Sequence, residues 1–284
     1  MSICDQSPIE KLNVKLCKFL LGVNKSSTNS AVRAELGRYP LVINVFDHAV
    51  RYSNRIYSLD DESFVKLSCL DSNTNSVRDS WTLAIQKIQH TFSDSTLKVS
   101  MQSVYRDGWA SMIQNDEGKL RTYSKFKSSF CLENYIIQFP LHMRQNLTKL
   151  RISAHHLAIE TGRYSQPKTP IEKRLCFYCK QIEDEFHLLF ECNLYEEDRL
   201  RFTDQLSQFS CLNVRSTREM FHTLMSCMQG DLEVGRVLCD FINSCFNKRS
   251  IKLAEIKEDE IYLRPISTVT QSGRVSKRPN ILNL

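Results

Sequence analysis

Apolar residues recur at helical spacing along most of the chain, and this pattern predicts a mostly α-helical fold. The first amphipathic stretch begins at Pro8, a favoured first helical residue, and stops at Gly22, a favoured helix end. We expect one apolar face of this helix to pack against the core. That face carries Leu12, Leu16, Phe19 and Leu20.

Two later stretches show the same periodicity. The residues predicted to share a buried face after position 193 are Tyr195, Phe202, Leu206 and Phe209. The clearest stripe in the chain consists of Val234, Val237, Leu238, Phe241, Ile242 and Cys245. Both are expected to be helices that face the interior.

Between these helical stretches lies a C-x2-C-x7-H-x4-C array. It is formed by Cys176, Cys179, His187 and Cys192. Two cysteines separated by two residues supply two thiolates from one turn, and a following His and Cys complete a tetrahedron. Four protein ligands leave no position for water or substrate, so the array predicts one structural Zn²⁺ ion rather than a catalytic one.

The spacing of the last two ligands constrains the backbone. A regular helix would rotate Cys192 by about 140° from His187. The acidic residues 183–185 are expected to begin a short helix, where the helix dipole favours them. We expect this helix to unwind at Cys192, with Asn193 capping the next helix.

These observations divide the chain into four predicted parts. Residues 1–143 form a helical region, 144–210 a basic arm with the zinc-binding module, and 211–262 the C-terminal helices. Residues 263–284 hold four basic residues, no acid and two prolines, which is typical of a disordered basic tail. The predicted fold is a helical array followed by a Cys3His knuckle and helix.

Charge is concentrated in the arm. Over the whole chain Lys plus Arg exceed Asp plus Glu by 38 − 32 = 6, whereas residues 144–174 alone hold seven basic against two acidic residues, an excess of five. Such a segment is suited to phosphate contacts. The predicted nucleic-acid-binding residues are Arg151, Arg163, Lys168, Lys173 and Arg174.

Two further features of this part of the chain leave alternatives. The cations and rings between Lys119 and Lys127 could follow a single strand, or the rings could pack inward while the cations remain solvated. The adjacent His155 and His156 would point in different directions, so surface or capping roles are favoured over metal binding.

The sequence also argues against several classes of protein. It shows no signal peptide and no apolar run of membrane-spanning length, so we expect an intracellular protein, cytoplasmic or nuclear, with no membrane partner. The cysteines outside the array are then expected to be reduced, buried hydrophobes. With no nucleophile–base arrangement visible, we expect no enzymatic activity.

Four blocks of residues resemble the region C-terminal to the polymerase domain in reverse transcriptase polyproteins of non-LTR retrotransposons. The first block is Phe19-Leu-Leu-Gly-Val23 followed by Glu35-Leu-Gly-Arg-Tyr-Pro-Leu41, and the second is Lys119-Leu-Arg-Thr-Tyr123 with Phe126-Lys127. The third is Leu147-Thr-Lys-Leu-Arg-Ile-Ser153 with Glu160-Thr-Gly-Arg-Tyr164, and the fourth runs from Arg174 to Cys192. The likeness covers about residues 10–210.

This resemblance implies an RNA- or DNA-handling appendage that helps a reverse transcriptase, here acting in trans, to hold its template or target. The four ligands of the array match the zinc ligands of that family. No polymerase or endonuclease motif is found in this sequence, which fits a non-catalytic fragment. We expect a zinc-stabilised nucleic-acid-binding module; the alternative is a zinc-stapled helical scaffold that binds proteins.

Overall fold

The computed structural model describes residues 7–74, 81–92, 97–114, 118–209, 216–226 and 232–262. Within these ranges the chain is mostly helical and contains no strand, only two isolated antiparallel bridges, Leu36 with Leu132 and Leu175 with Ile182. The predicted α-helical class is therefore confirmed. The predicted disordered tail, residues 263–284, lies outside the described residues.

The α-helices follow one another with short connections in the first half and longer ones around the array. They are α1 (Pro8–Leu21), α2 (Asn29–Glu35), α3 (Leu41–Tyr57), α4 (Phe64–Thr74), α5 (Trp81–Thr91), α6 (Leu97–Gln114), α7 (Asn134–Gln138), α8 (Leu141–Arg151), α9 (Ala158–Thr161), α10 (Glu196–Leu206), α11 (Thr217–Ser226) and α12 (Leu232–Tyr262). None of the helices in the described ranges is both long and apolar enough to cross a membrane.

The chain separates into two compact units, residues 1–246 and 247–284. In the second unit the described residues, 247–262, are helical. The first unit contains three clusters of buried apolar side chains, and Cys176 and Cys192 belong to the one built from α7, α8, α10, α11 and α12. The predicted boundaries at residues 143 and 210 stay predictions.

Helix α1 shows the difference between predicting a helix and predicting its buried face. Ser7 caps it by accepting the Glu10 backbone N–H at 3.2 Å, and Gly22 ends it in the left-handed region with φ +65°. The buried face, however, carries Val14, Cys17 and Leu21. The four residues predicted to face the core are exposed instead, so that prediction was wrong. Their relative exposures are Leu12 67%, Leu16 47%, Phe19 76% and Leu20 38%.

The two later stripes behave as the sequence predicts. Tyr195, Phe202 and Leu206 are buried, and Phe209 packs against the same cluster. In α12 five of the six stripe residues are buried and Val237 is partly buried. In these helices one continuous apolar face exists, so the periodicity alone identifies the side that is removed from water.

Candidate metal centre

A short hairpin brings the first two cysteines together. The Leu175–Ile182 bridge closes it, and the Cys176 N–H donates to the Gln181 carbonyl at 2.6 Å. The Lys180 N–H returns to the Cys176 carbonyl at 3.1 Å, and Lys180 adopts a left-handed φ of 62°. This tight turn directs the Cys176 and Cys179 side chains to the same side of the hairpin.

A widened helical turn supplies the other two ligands. Asp184 caps it by accepting the His187 N–H at 2.8 Å, and residues 187–191 form a π-helical turn. The Cys192 N–H donates to the His187 carbonyl at 3.0 Å, while Cys192 is already extended, with ψ 123°. Because a π turn closes over five residues, it removes the rotation that would separate His187 from Cys192 in a regular helix.

The expected break at Cys192 is therefore present, although its form differs from the expectation. Asn193 does not cap the next helix through its side chain; residues 193–195 form a 3-10 turn, and α10 begins at Glu196 without a side-chain cap. The carbonyls left open by the break are held by Arg199, whose guanidinium donates to Cys192 O at 2.8 Å and Leu189 O at 3.3 Å.

All four predicted ligands converge. Their ligand atoms lie within 4.8 Å of one another, with Cys176 Sγ to Cys192 Sγ at 3.9 Å and Cys179 Sγ to His187 Nε2 at 3.2 Å. A tetrahedral zinc with bonds of about 2.3 Å to sulfur and 2.0 Å to nitrogen places two sulfurs about 3.8 Å apart and a sulfur and a nitrogen about 3.5 Å apart. The four residues could therefore hold one metal ion, and their spacing is compatible with zinc.

An acidic residue that the sequence analysis does not single out lies beside the histidine ligand. Glu191 places a carboxylate oxygen 3.4 Å from His187 Nδ1, but this nitrogen has no hydrogen bond within the described residues. Carboxylates beside a ligating imidazole commonly tune its basicity, and Glu191 is placed to do so. The signal that could have found it is an acid four residues after the ligand, since a helical turn brings such pairs together.

Contacts within the cluster shift the pKa values of Cys176, Cys192 and His187. The hydrogen bond from Cys192 lowers the pKa of Cys176 to about 3, and the same contact raises the pKa of Cys192. Burial tends to lower the pKa of His187, but its contacts with Cys176 and Glu191 raise it above the ordinary value. Closely packed thiols that favour a thiolate are the donor set that a divalent cation stabilises.

Glu185 connects the metal centre to the arm. This carboxylate is buried and accepts hydrogen bonds from Arg121 at 2.5 Å, Ser153 at 3.2 Å and His155 at 3.0 Å. Burial alone would raise its pKa, but the bond from His155 and the charge of Arg121 lower it to about 2. Residues 183–185 were expected to lie in the first turn of a helix, where the helix dipole favours acidic side chains. Of the three, only Asp184 caps the turn that carries His187.

Glu183 makes a second connection. Its carboxylate accepts the Ala158 N–H at 2.6 Å at the start of α9, and its carbonyl accepts the Ile159 N–H at 3.0 Å. Its own N–H donates to the Arg174 carbonyl at 2.9 Å. The arm is therefore hydrogen-bonded along its length to the hairpin that carries the cysteines.

Arg151, a predicted phosphate contact, lies in the interior with 1% exposure. Its Nε and Nη2 donate to the Glu35 carboxylate at 3.1 and 3.0 Å, and Nη2 lies 3.3 Å from Glu133. The guanidinium also stacks over the rings of Phe126 and Tyr135. Burial opposes its charge, but the two carboxylates raise its pKa, so Arg151 is a buried structural cation and not a phosphate contact.

Arg174 requires the same correction. Its Nη1 donates to Ile159 O at 2.8 Å and its Nε to Thr169 O at 2.9 Å, and the residue is 4% exposed. Its stem runs against Gly162, where an added Cβ would lie 2.7 Å from Arg174 Cγ. This close approach explains the glycine of the Glu160–Tyr164 block, and the two hydrogen bonds hold Arg174 against the protein instead of presenting it to a phosphate.

The remaining three predicted contacts differ in exposure. Arg163 has 17% side-chain exposure and donates to Glu160 at 3.0 Å and to Gly118 O at 2.7 Å. Lys168 and Lys173 are exposed. Of the five predicted residues, these two lysines offer their charges fully to solvent.

For the segment between residues 119 and 127, the inward-packing alternative describes the rings. Tyr123 is fully buried and donates to Glu35 at 2.9 Å. Even a cation is inside, since Lys127 is 2% exposed and pairs with Glu133. Lys125 remains exposed.

The histidine pair divides between interior and surface. His156 is exposed, whereas His155 is 4% exposed, accepts the Leu157 N–H at 3.3 Å through Nδ1 and bonds Glu185 through Nε2. His155 therefore has a buried connecting role that the surface or capping expectation did not include. The residues around His155 do not predict this role, because the partner, Glu185, is 30 residues away in the chain.

Comparison of the chain with protein-family models, with curated proteins and with solved structures gives no match. Its function therefore has to be inferred from its own residues.

Proposed function

We propose that this chain is a zinc-stabilised nucleic-acid-binding module derived from a non-LTR retrotransposon reverse transcriptase polyprotein. The observation that carries the proposal is the convergence of Cys176, Cys179, His187 and Cys192 on one point. Thiolates and imidazole together favour Zn²⁺. Four protein ligands close its shell, so the zinc supplies folding energy and the module is not catalytic on its own.

The zinc would act by joining the hairpin to the turn that carries His187. That turn also carries Glu185, and the hairpin pairs with Glu183, so both sides of the centre are bonded to the arm. The exposed Lys168 and Lys173 lie in the stretch that enters the hairpin. We assign phosphate contact to these two residues, with the partly exposed Arg163 beside them.

The proposed origin is supported by how the four sequence blocks meet. Glu35 from the first block accepts hydrogen bonds from Tyr123 of the second and Arg151 of the third. Arg121 of the second block bonds Glu185 of the fourth. Each of these buried charges needs its partner from another block, so the blocks form one structural unit.

The test is binding of the full zinc-loaded chain to fluorescently labelled single-stranded RNA, single-stranded DNA and duplex DNA, followed by anisotropy. Affinity should fall steeply between about 50 and 200 mM salt. Lys168→Ala combined with Lys173→Ala should reduce the slope of log affinity against log salt by about 1.4, the value for two single-strand phosphate contacts.

The matched control is Lys87→Ala with Arg106→Ala, two exposed cations on α5 and α6. This pair should leave the slope near that of the unaltered chain. A zinc-loaded chain with no affinity for any of the three nucleic acids at about 50 mM salt would overturn the proposal.

One observation favours a second candidate function, a zinc-stapled scaffold for protein partners. Leu12, Leu16 and Phe19 form an exposed apolar face on α1, and such faces occur at protein interfaces. If this candidate is correct, the chain binds zinc and is stably folded but has no affinity for nucleic acid. The binding experiment therefore separates the two.

A further inference from the structure

A row of lysines lies on α1 beside its exposed apolar face. Lys11, Lys15 and Lys18 are spaced by four and three residues, which places them on one side of the helix. The one acid of this helix, Glu10, points inward, where it pairs with Arg33 at 2.9 Å. Glu10 therefore does not face Lys11 and Lys15, the two exposed lysines of this side.

These lysines border a groove of about 410 Å³ between α1 and the loop that follows it. Lys25 completes the set from the loop, and the other lining residues within the described part of the chain are apolar or amide-bearing, with no carboxylate among them. Lys18 donates to Lys25 O at 2.8 Å, which holds the loop against the helix. Phe19 lines the groove with 76% of its surface exposed.

The positive surface continues from the groove toward the arm. The carbonyl of Ser26, next to Lys25, accepts a hydrogen bond from Lys119 at 3.0 Å. Lys119 also reaches the Tyr164 hydroxyl at 3.2 Å and lies over its ring. Tyr164 is 61% exposed, so a second aromatic face is presented at the far end of this series of contacts.

We propose that the α1 groove binds one strand of nucleic acid, with phosphates on Lys11, Lys15 and Lys25 and a base stacked on Phe19. The strand would then pass Lys119 toward Tyr164. Cations one helical turn apart match successive phosphates of a strand, and exposed rings beside them are the recurrent means of binding unpaired bases. This inference rests on the proposed nucleic-acid function and gives it a site outside the arm.

The experiment measures anisotropy of the full zinc-loaded chain with labelled oligonucleotides. The groove variant is Lys11→Glu with Lys15→Glu and Lys25→Glu. We expect it to lower the salt slope for single strands by about two and the affinity at about 100 mM salt by tenfold or more. The matched control reverses three exposed cations elsewhere, Arg55→Glu, Lys87→Glu and Arg106→Glu, and should change the affinity by less than about threefold.

Base stacking has its own variant. Phe19→Ala should weaken single-strand binding by about fivefold or more, whereas Phe64→Ala, at an even more exposed ring on α4, should not. Inorganic polyphosphate serves as a probe without bases. If Phe19→Ala leaves oligonucleotide affinity unchanged, the groove is a general polyanion site and the proposal is overturned.

The outcomes also separate this site from the proposed function. Oligonucleotide binding that depends on Lys168 and Lys173 but not on the groove lysines would leave the function intact and overturn the α1 site. No oligonucleotide binding at all would overturn both. The groove variant could instead lose binding to anionic lipid vesicles and keep its binding to oligonucleotides. That result would assign the groove to membranes and overturn the proposal.

Discussion

The metal centre and the basic arm are adjacent in the chain, but they relate to their sequence in opposite ways. In the centre, the residues singled out by their spacing converge, from Cys176 to Cys192. In the arm, two of the five residues singled out by charge, Arg151 and Arg174, are buried and bonded inside the protein. For Arg151 the decisive partners, Glu35 and Glu133, lie outside the arm, whereas Arg174 is held by two carbonyls within it, Ile159 O and Thr169 O.

Metal ligands that lie within 17 residues are positioned by one hairpin and one turn, which are local structures. The surface charge of a segment depends instead on every acid that packs against it. Glu35 and Glu133 come from outside the arm, on its N-terminal side, and Glu183 and Glu185 follow it in the chain. An excess of cations in a stretch of sequence can therefore be consumed by interior ion pairs and never reach solvent.

The largest effect is expected when the candidate metal centre is disrupted. Cys179→Ser, or removal of metal with a strong chelator, should remove zinc and unfold residues 174–195. Structural zinc contributes about 10–16 kcal/mol of apparent binding free energy in zinc-finger peptides. Bound zinc and limited proteolysis provide the measurements.

Cys69→Ser is the matched control, because Cys69 is also partly exposed and lies on α4, away from the cluster. It should keep full zinc content and protease resistance. If the Cys179 variant retained both as well, the cluster would not be a metal site.

The next effect concerns the interior of the arm. Arg151→Ala should lower the free energy of unfolding by about 3–5 kcal/mol, because it leaves the buried Glu35 carboxylate without its main cation. Urea unfolding of the zinc-loaded chain measures this loss. Arg163→Ala should cost much less, since Arg163 is partly exposed and its partner Glu160 keeps Arg121 at 3.3 Å. Equal losses would show that burial does not distinguish these arginines.

The stability contributed by the Glu35–Arg151 pair should depend on pH. Burial raises the pKa of Glu35, but Arg151 and Lys127 outweigh it and hold the pKa below the ordinary value of 4.5. The stability from this lowered pKa is fully present above pH 4.5 and is lost as the pH falls below it. The difference in unfolding free energy between the unaltered chain and Glu35→Gln should thus shrink below that pH.

Taking this difference cancels the protonation of the four candidate metal ligands, which affects both chains alike. Urea unfolding at neutral pH and at two acidic values gives the comparison. A difference that stays constant with pH would mean that Glu35 carries no lowered pKa in the folded chain.

The smallest effect on stability is expected at the exposed lysines. Lys168→Ala and Lys173→Ala should each change the free energy of unfolding by no more than about 0.5 kcal/mol, the usual range for surface sites. Thermal unfolding measures this. A larger loss at either lysine would place it with Arg151 as a structural cation and remove it from the proposed phosphate contacts.

The helices show the same division between local and distant causes. The ends of α1 follow from Ser7, Pro8 and Gly22, since caps depend on neighbouring residues. Its buried face does not, because α1 has apolar residues on two sides and its neighbours decide which side packs. The stripe of α12 is correctly predicted because all the apolar residues between Val234 and Cys245 pack against the same cluster.

The sequence by itself determined the helical class, several helix ends and the four residues that meet at the metal centre, because spacing and capping act within a few turns of chain. The tertiary structure decided which face of α1 is buried, that residues 187–191 widen into a π turn, and that Arg151 and Arg174 lie inside. The buried face of α1 and the position of Arg151 depend on partners distant in sequence, whereas Arg174 is held by carbonyls 5 and 15 residues before it. Burying a charge is costly unless it is paired, so the positions of those partners fix which cations remain at the surface.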